Sequence, residues 1–161
     1  MKRILNVTVL TLTAFILIGT VSVMAIERPF ALNASGVATF ITDQAGNPIR
    51  ADVSSSGTAT HLGLTTTVGT ITFSPDPANP GRLLTNGSGT MTAANGDTVQ
   101  LELNGALVPT PGSATATDKF ALRFVGGTGR FAGAHGKGNG VVVVNLLTGA
   151  FEITMIGDID F

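Results

Sequence analysis

The chain contains no cysteine, no tryptophan and no tyrosine, and each absence closes off a class of chemistry. Without cysteine there is no thiol nucleophile, no disulfide framework and no thiolate metal site, and an acylated lipoprotein is excluded as well. Without tryptophan and tyrosine the chain lacks the amphipathic rings that serve sugar stacking and interface anchoring, which weighs against a surface module recognising a polymer. Charge is scarce too: 12% of residues are charged, about half of the ~25% usual in soluble domains. Threonine, serine, asparagine and glycine must then cover the surface. No basic run follows residue 25, so neither nucleic acid nor an anionic membrane is an expected partner. Helical periodicity is also missing. Beyond residue 25 no window carries apolar residues at three-and-four spacing, and glycine and threonine recur too often for a stable helix.

One long apolar stretch is present, at the N-terminus. Lys2 and Arg3 precede the run Ile4 to Val23, and Val23-Met24-Ala25 offers small residues for cleavage, which together read as a secretory signal over 1–25. Asn6, Thr8, Thr11, Thr13 and Thr20 interrupt the run and disfavour a continuous membrane span. The expected product is a single domain over 26–161, secreted or periplasmic, with no stable membrane insertion. Loss of Lys2 and Arg3 makes it more acidic than the formal net charge of −1. A chain of this size buries enough surface to fold without disulfides.

Strand signals are plentiful. Val37 to Thr42 alternates, and Gly46-Asn47-Pro48 ends it. Gly57 to Leu62 and Leu64 to Phe73 follow. In the second of these the apolar set shifts from Leu64 and Val68 to Ile71 and Phe73 across Gly69, which predicts a β-bulge or barrel bend. Three prolines make Ser74 to Gly81 a loop. Arg82 to Ala93 is the next strand, and Asn95-Gly96 predicts a hairpin through a type I′ turn. Thr98 to Leu103 puts Val99, Leu101 and Leu103 on one face. Val108 to Ala116, with Pro109 and Pro111, predicts a second loop. Phe120, Leu122 and Phe124 then oppose Lys119 and Arg123. Val141 to Val144 is apolar on both faces and predicts cover on both. Finally Phe151, Ile153, Met155, Ile159 and Phe161 oppose Glu152, Thr154, Asp158 and Asp160. About eight strands at roughly 8–12-residue spacing predict an all-β fold, an antiparallel barrel of about eight strands, with a β-sandwich as the alternative.

The glycine-dense stretch Val125 to Gly140 lies between two strand patterns. Gly127 to Gly133 imitates a dinucleotide loop and Gly136-Lys137 the end of a phosphate loop, yet both loops work by opening a helix, and Gly138-Asn139-Gly140 leads into four valines. Nucleotide binding is therefore set aside. The run Gly126-Gly127-Thr128-Gly129-Arg130-Phe131-Ala132-Gly133-Ala134-His135-Gly136 resembles the Gly-Gly-Thr-Gly-x-Phe-x-x-Ala-x-Gly segment of allene oxide cyclase-like and dirigent-like barrels. Together with Thr60-His61-Leu62-Gly63 it is most similar to small secreted bacterial members of that superfamily, whose function is unassigned. The resemblance implies an eight-stranded barrel and a homo-oligomer, a trimer in the plant members. It makes Gly126, Gly127, Thr128, Gly129, Phe131, Gly133 and Gly136 fold residues, with Phe131 packed under the turn. The plant barrels bind an unsaturated fatty-acid epoxide or phenolic radicals with cavity residues that include tyrosine. This chain has none, so no catalytic residue carries over.

Residues able to carry chemistry are few. His61 and His135 are the only histidines; a metal would need Asp118 or Asp158 beside them, and the local spacing of a metal pair is missing, so no metal and no cofactor is expected. Their expected roles are a polar strand residue and a turn residue. Arg123 and Arg130 bracket the glycine turn and are expected to pair with Asp118 or Glu152 across the sheet rather than to hold an anion. Ser54, Ser55 and Ser56 lack a nucleophile-elbow context. Asn33-Ala34-Ser35 and Asn86-Gly87-Ser88 match glycosylation acceptors, which matter only in a eukaryotic host. The leading expectation is a secreted, non-enzymatic barrel that binds a small apolar ligand or serves as an oligomeric structural module. The alternative is a cofactor-free isomerase or cyclase acting on an unsaturated lipid-like substrate, with Glu102 or Glu152 as the acid or base inside the barrel.

Overall fold

The computed structural model describes residues 27–161; the leader expected over 1–25 lies outside them. Eight antiparallel strands follow one another: β1 (Arg28–Thr42), β2 (Pro48–Ala59), β3 (Gly63–Pro75), β4 (Leu83–Ala93), β5 (Thr98–Pro109), β6 (Thr115–Gly127), β7 (His135–Asn145) and β8 (Ala150–Asp160). Each pairs with its neighbour in the chain, and β8 returns to β1 to close the barrel. A closed cylinder leaves no unpaired sheet edge. The fold is the expected eight-stranded barrel and not a sandwich.

Strand alternation decides what fills it. Phe120, Leu122 and Phe124 of β6 point inward and are buried, while Lys119, Ala121 and Arg123, which alternate with them, are exposed. Val99 and Leu101 of β5 and Phe151 and Met155 of β8 obey the same parity. The interior divides into two packed groups along the barrel axis. Phe30, Leu32, Met91, Val99, Phe124 and Ile159 belong to one, capped by Leu62, Phe131 and Ala134 from the loops at that end. Ala38, Ala51, Leu107, Ala116, Val144 and Phe151 belong to the other, with Phe40, Phe73 and Leu83 only partly buried against them.

Several boundaries differ from those expected. β1 begins nine residues before Val37, at Arg28, with Phe30 and Leu32 already alternating inward. β2 covers Pro48–Ala59 rather than Gly57 to Leu62; its interior positions Ala51, Val53 and Ser55 are small, so little apolar alternation advertises it. Register runs unbroken through Gly69. Leu64 and Val68 do not signal a parity switch: they face outward, 67% and 60% exposed. The irregularity on β6 instead lies at Val125, which is squeezed out where Gln100 pairs with Gly126 and Leu101 with Phe124. The expected loop over Val108 to Ala116 shrinks to residues 110–114, between β5 and β6. The β4–β5 hairpin forms, but not through a type I′ turn. Asn95 keeps a negative φ, and only Gly96 takes a left-handed value, φ 90. The Gly96 amide donates to the Ala93 carbonyl at 2.9 Å, as in three-residue loops that need one such residue. Asp160 breaks the parity of β8 and is buried. Val141 and Val143 face outward and are exposed, so the second cover expected over β7 is not provided by the described residues.

Candidate functional site: a cavity inside the barrel

An eight-stranded barrel is just wide enough for side chains to fill, and here the filling is lopsided. β5 and β6 send Leu101, Leu103, Leu107 and Phe120 inward, whereas β1 to β3 offer the smaller Ala38, Ala51, Val53, Ser55, Thr67 and Gly69. The small side chains leave a cavity of about 100 Å³, floored by Leu32, Leu101 and Met155. Phe40 and Phe73, with ring centroids 5.9 Å apart, stand at the opposite rim. Val53, Ser55, Thr67 and Ile71 point inward yet are only partly buried. The far end is shut: Met91, Val99, Phe131 and Ile159 have no exposed surface.

Among the described residues Asp118 is the only titratable one in the cavity wall. It lies on β6 two residues before Phe120, so strand parity turns it inward, and it is 7% exposed. Its carboxyl occupies the space above Gly105 on β5, where a Cβ would stand 2.7 Å from Oδ1. Gly105 in turn pairs with Thr85 on β4, which is 1% exposed. The glycine thus makes room for the Asp118 carboxyl on the inner face, close to the Thr85 hydroxyl. Among the described residues neither Asp118 Oδ1 nor Thr85 Oγ1 has a partner at ordinary hydrogen-bond distance and angle. Burial pushes the Asp118 carboxyl above the usual carboxylate range; the nearby Thr85 hydroxyl and Ala106 amide oppose this without cancelling it. The group can therefore stay neutral, and donate a hydrogen bond, at a pH where an exposed aspartate is charged.

The acids expected inside the barrel are outside it. Glu102 and Glu152 are exposed on the outer face, because each alternates with inward residues, Leu101 and Leu103 or Phe151 and Ile153. Asp118 was recognisable by the same rule: with Phe120, Leu122 and Phe124 inward, position 118 must be inward too. That placement also removes it as an arginine partner. Arg123 stands outward, across from Glu102. Arg130 lies 3.7 Å from Asp97 and hydrogen-bonds the His61 carbonyl, meeting neither Asp118 nor Glu152.

The histidines sit at the closed end. His61 is in a tight turn with φ 67, its Nε2 3.0 Å from the Pro29 carbonyl. His135 is the first residue of β7, and its Nε2 lies 3.3 Å from Asp160 rather than beside Asp118 or Asp158. The glycine stretch builds the plug. Gly126 and Gly127 end β6, a single 3-10 turn spans Gly129–Phe131, and Gly136 belongs to β7. The Thr98 amide donates to the Thr128 hydroxyl at 3.0 Å. Gly129, at φ 59, packs against the Asp97 carboxylate. Phe131 is fully buried, edge-on to Phe161 with centroids 4.7 Å apart. Gly133 has open space around its α-carbon, and nothing in its surroundings demands a glycine. Comparison with protein-family models, curated proteins and solved structures gives no match.

Proposed function

We propose that this protein is a non-enzymatic barrel that holds a small apolar ligand in its half-filled interior. The observation that carries the reading is the cavity of about 100 Å³, walled mainly by aliphatic and phenyl groups and reached past Phe40 and Phe73. An apolar cavity of roughly 150 Å³ lined by Leu, Ile and Phe stays dry and takes up benzene or xenon, and this one is of that order. The leader over 1–25 and the resemblance of the Gly126–Gly136 stretch to secreted bacterial barrels support an exported ligand carrier. Xenon NMR tests the cavity directly. Saturable shifts of Ile153 and Met155 methyls are expected; methyls indifferent to xenon would end the reading.

Two other readings have a specific observation each. The isomerase or cyclase reading has lost Glu102 and Glu152 and rests on Asp118 alone as the cavity acid. An oligomeric structural module draws on the outward Val141 and Val143 of β7. Native mass spectrometry of protein from its own host separates it, since a ligand-free oligomer favours the module and a co-purified small molecule the carrier.

A further inference from the structure

Building on the ligand-binding reading, we infer that the cavity takes a largely hydrocarbon molecule bearing one neutral oxygen, a ketone or aldehyde carbonyl, anchored by Asp118. The Asp118 side chain stands in the cavity wall and is more than nine-tenths buried. Its Oδ1 has no partner at ordinary hydrogen-bond geometry among the described residues. Buried polar groups are nearly always satisfied, and an orphaned carboxyl in a cavity wall marks the place of a missing partner.

The chemistry of that partner follows from the inventory of donors and acceptors. A protonated carboxyl offers one O–H, and a carbonyl oxygen has a lone pair to receive it. A carboxylate or phosphate ligand fits badly, because no cationic side chain lines the cavity. An ammonium would bury a charge pair in a largely apolar cavity, an arrangement that does not repay its desolvation. A pure hydrocarbon would leave Asp118 Oδ1 unsatisfied. The raised affinity of Asp118 for its proton is consistent with a donor role.

The test uses three probes of one shape: cyclohexane, cyclohexanone and cyclohexylamine. Each is titrated against the protein and followed through the Ile153 and Met155 methyl resonances. Cyclohexanone is expected to bind about fivefold more tightly than cyclohexane, the order expected from one modest hydrogen bond. In Asp118→Leu that preference is expected to shrink towards unity while cyclohexane still binds. Asp118→Asn preserves the shape, can still donate, and is expected to retain part of it, which guards against a misfolded leucine variant. Equal binding of ketone and hydrocarbon by the unmodified protein would overturn the inference while leaving the carrier reading intact. So would a preference for the amine, or a ketone preference that survives in Asp118→Leu. If none of the three probes binds and xenon does not bind, both readings fall together.

Discussion

The ring of Phe120 fills the space that a side chain at Gly140 would occupy. The two residues pair across β6 and β7, and a Cβ at position 140 would overlap the ring at Cζ and Cε2. The contact fixes the orientation of the phenyl that walls one side of the cavity, directly beside Asp118 on the same strand face.

Gly140→Ala is therefore expected to destabilise the barrel by about 1–3 kcal/mol, the usual range for overpacking. Phe120→Leu in the same chain should recover part of the loss, which chemical denaturation of the two single variants and the double variant measures. Additive losses would show that the contact is not the cause.

Phe131 supports the closed end from the 3-10 turn and touches no solvent. Phe131→Ala is expected to lose about 3–5 kcal/mol, as large-to-small changes in a tight core do. A melting temperature unchanged from that of the unmodified protein would show that the plug does not hold the fold.

His61 is the only non-glycine residue with positive φ among the described residues. Replacing it by alanine and by glycine removes the imidazole contact with the Pro29 carbonyl in both cases. The difference between the two variants then isolates the backbone conformation, and His61→Gly is expected to be the more stable by about 1 kcal/mol. Equal stability would mean that the turn relaxes when the ring is gone.

Asp118 gives the protein a pH dependence of unusual sign. Its folded-state carboxyl holds the proton more tightly than the ordinary value of 3.8. As pH rises past 3.8 the unfolded chain releases that proton first, so this group lowers stability until the folded carboxyl also ionises. The surface carboxyls Asp43, Asp52 and Asp76 act in the opposite sense. Hydrogen bonds from Asn47, Arg50 and Asn79 lower their proton affinity, so their contribution is present above 3.8 and is lost as pH falls through the lowered values. Asp118→Asn should flatten the decline above pH 4 and leave the acid side unchanged, as thermal melts across pH 3–8 would record. An identical profile in the variant would mean that Asp118 is ionised in the fold.

How much of this was legible in the sequence depends on which side chains mark a strand's inner face. Where large apolar residues mark it, as in Val99-Gln100-Leu101-Glu102-Leu103 or Phe120 to Phe124, the strand and its orientation could be read directly. Where the inner face is Ala34, Gly36 and Ala38 on β1 or Ala51, Val53 and Ser55 on β2, size alternation is too weak to see, and outward Leu64 and Val68 point to the wrong face. Those small residues are the ones that leave the cavity empty. The features that hid the strands also made the site. Asp118 escaped notice for a different reason: an aspartate is presumed solvated unless the parity of its strand is followed through it.

Seven of the eight strand pairings join neighbours that a turn tethers; the pairing of β1 with β8 has no such tether, and there the Thr154 hydroxyl reaches Asn33 across 121 residues of chain. That seam can part without pulling any loop taut. Its rupture would turn a molecule with no edges into an open sheet with two, each a template for a strand from another copy, so resistance to self-association rests on the zip between Arg28–Val37 and Ala150–Ile159.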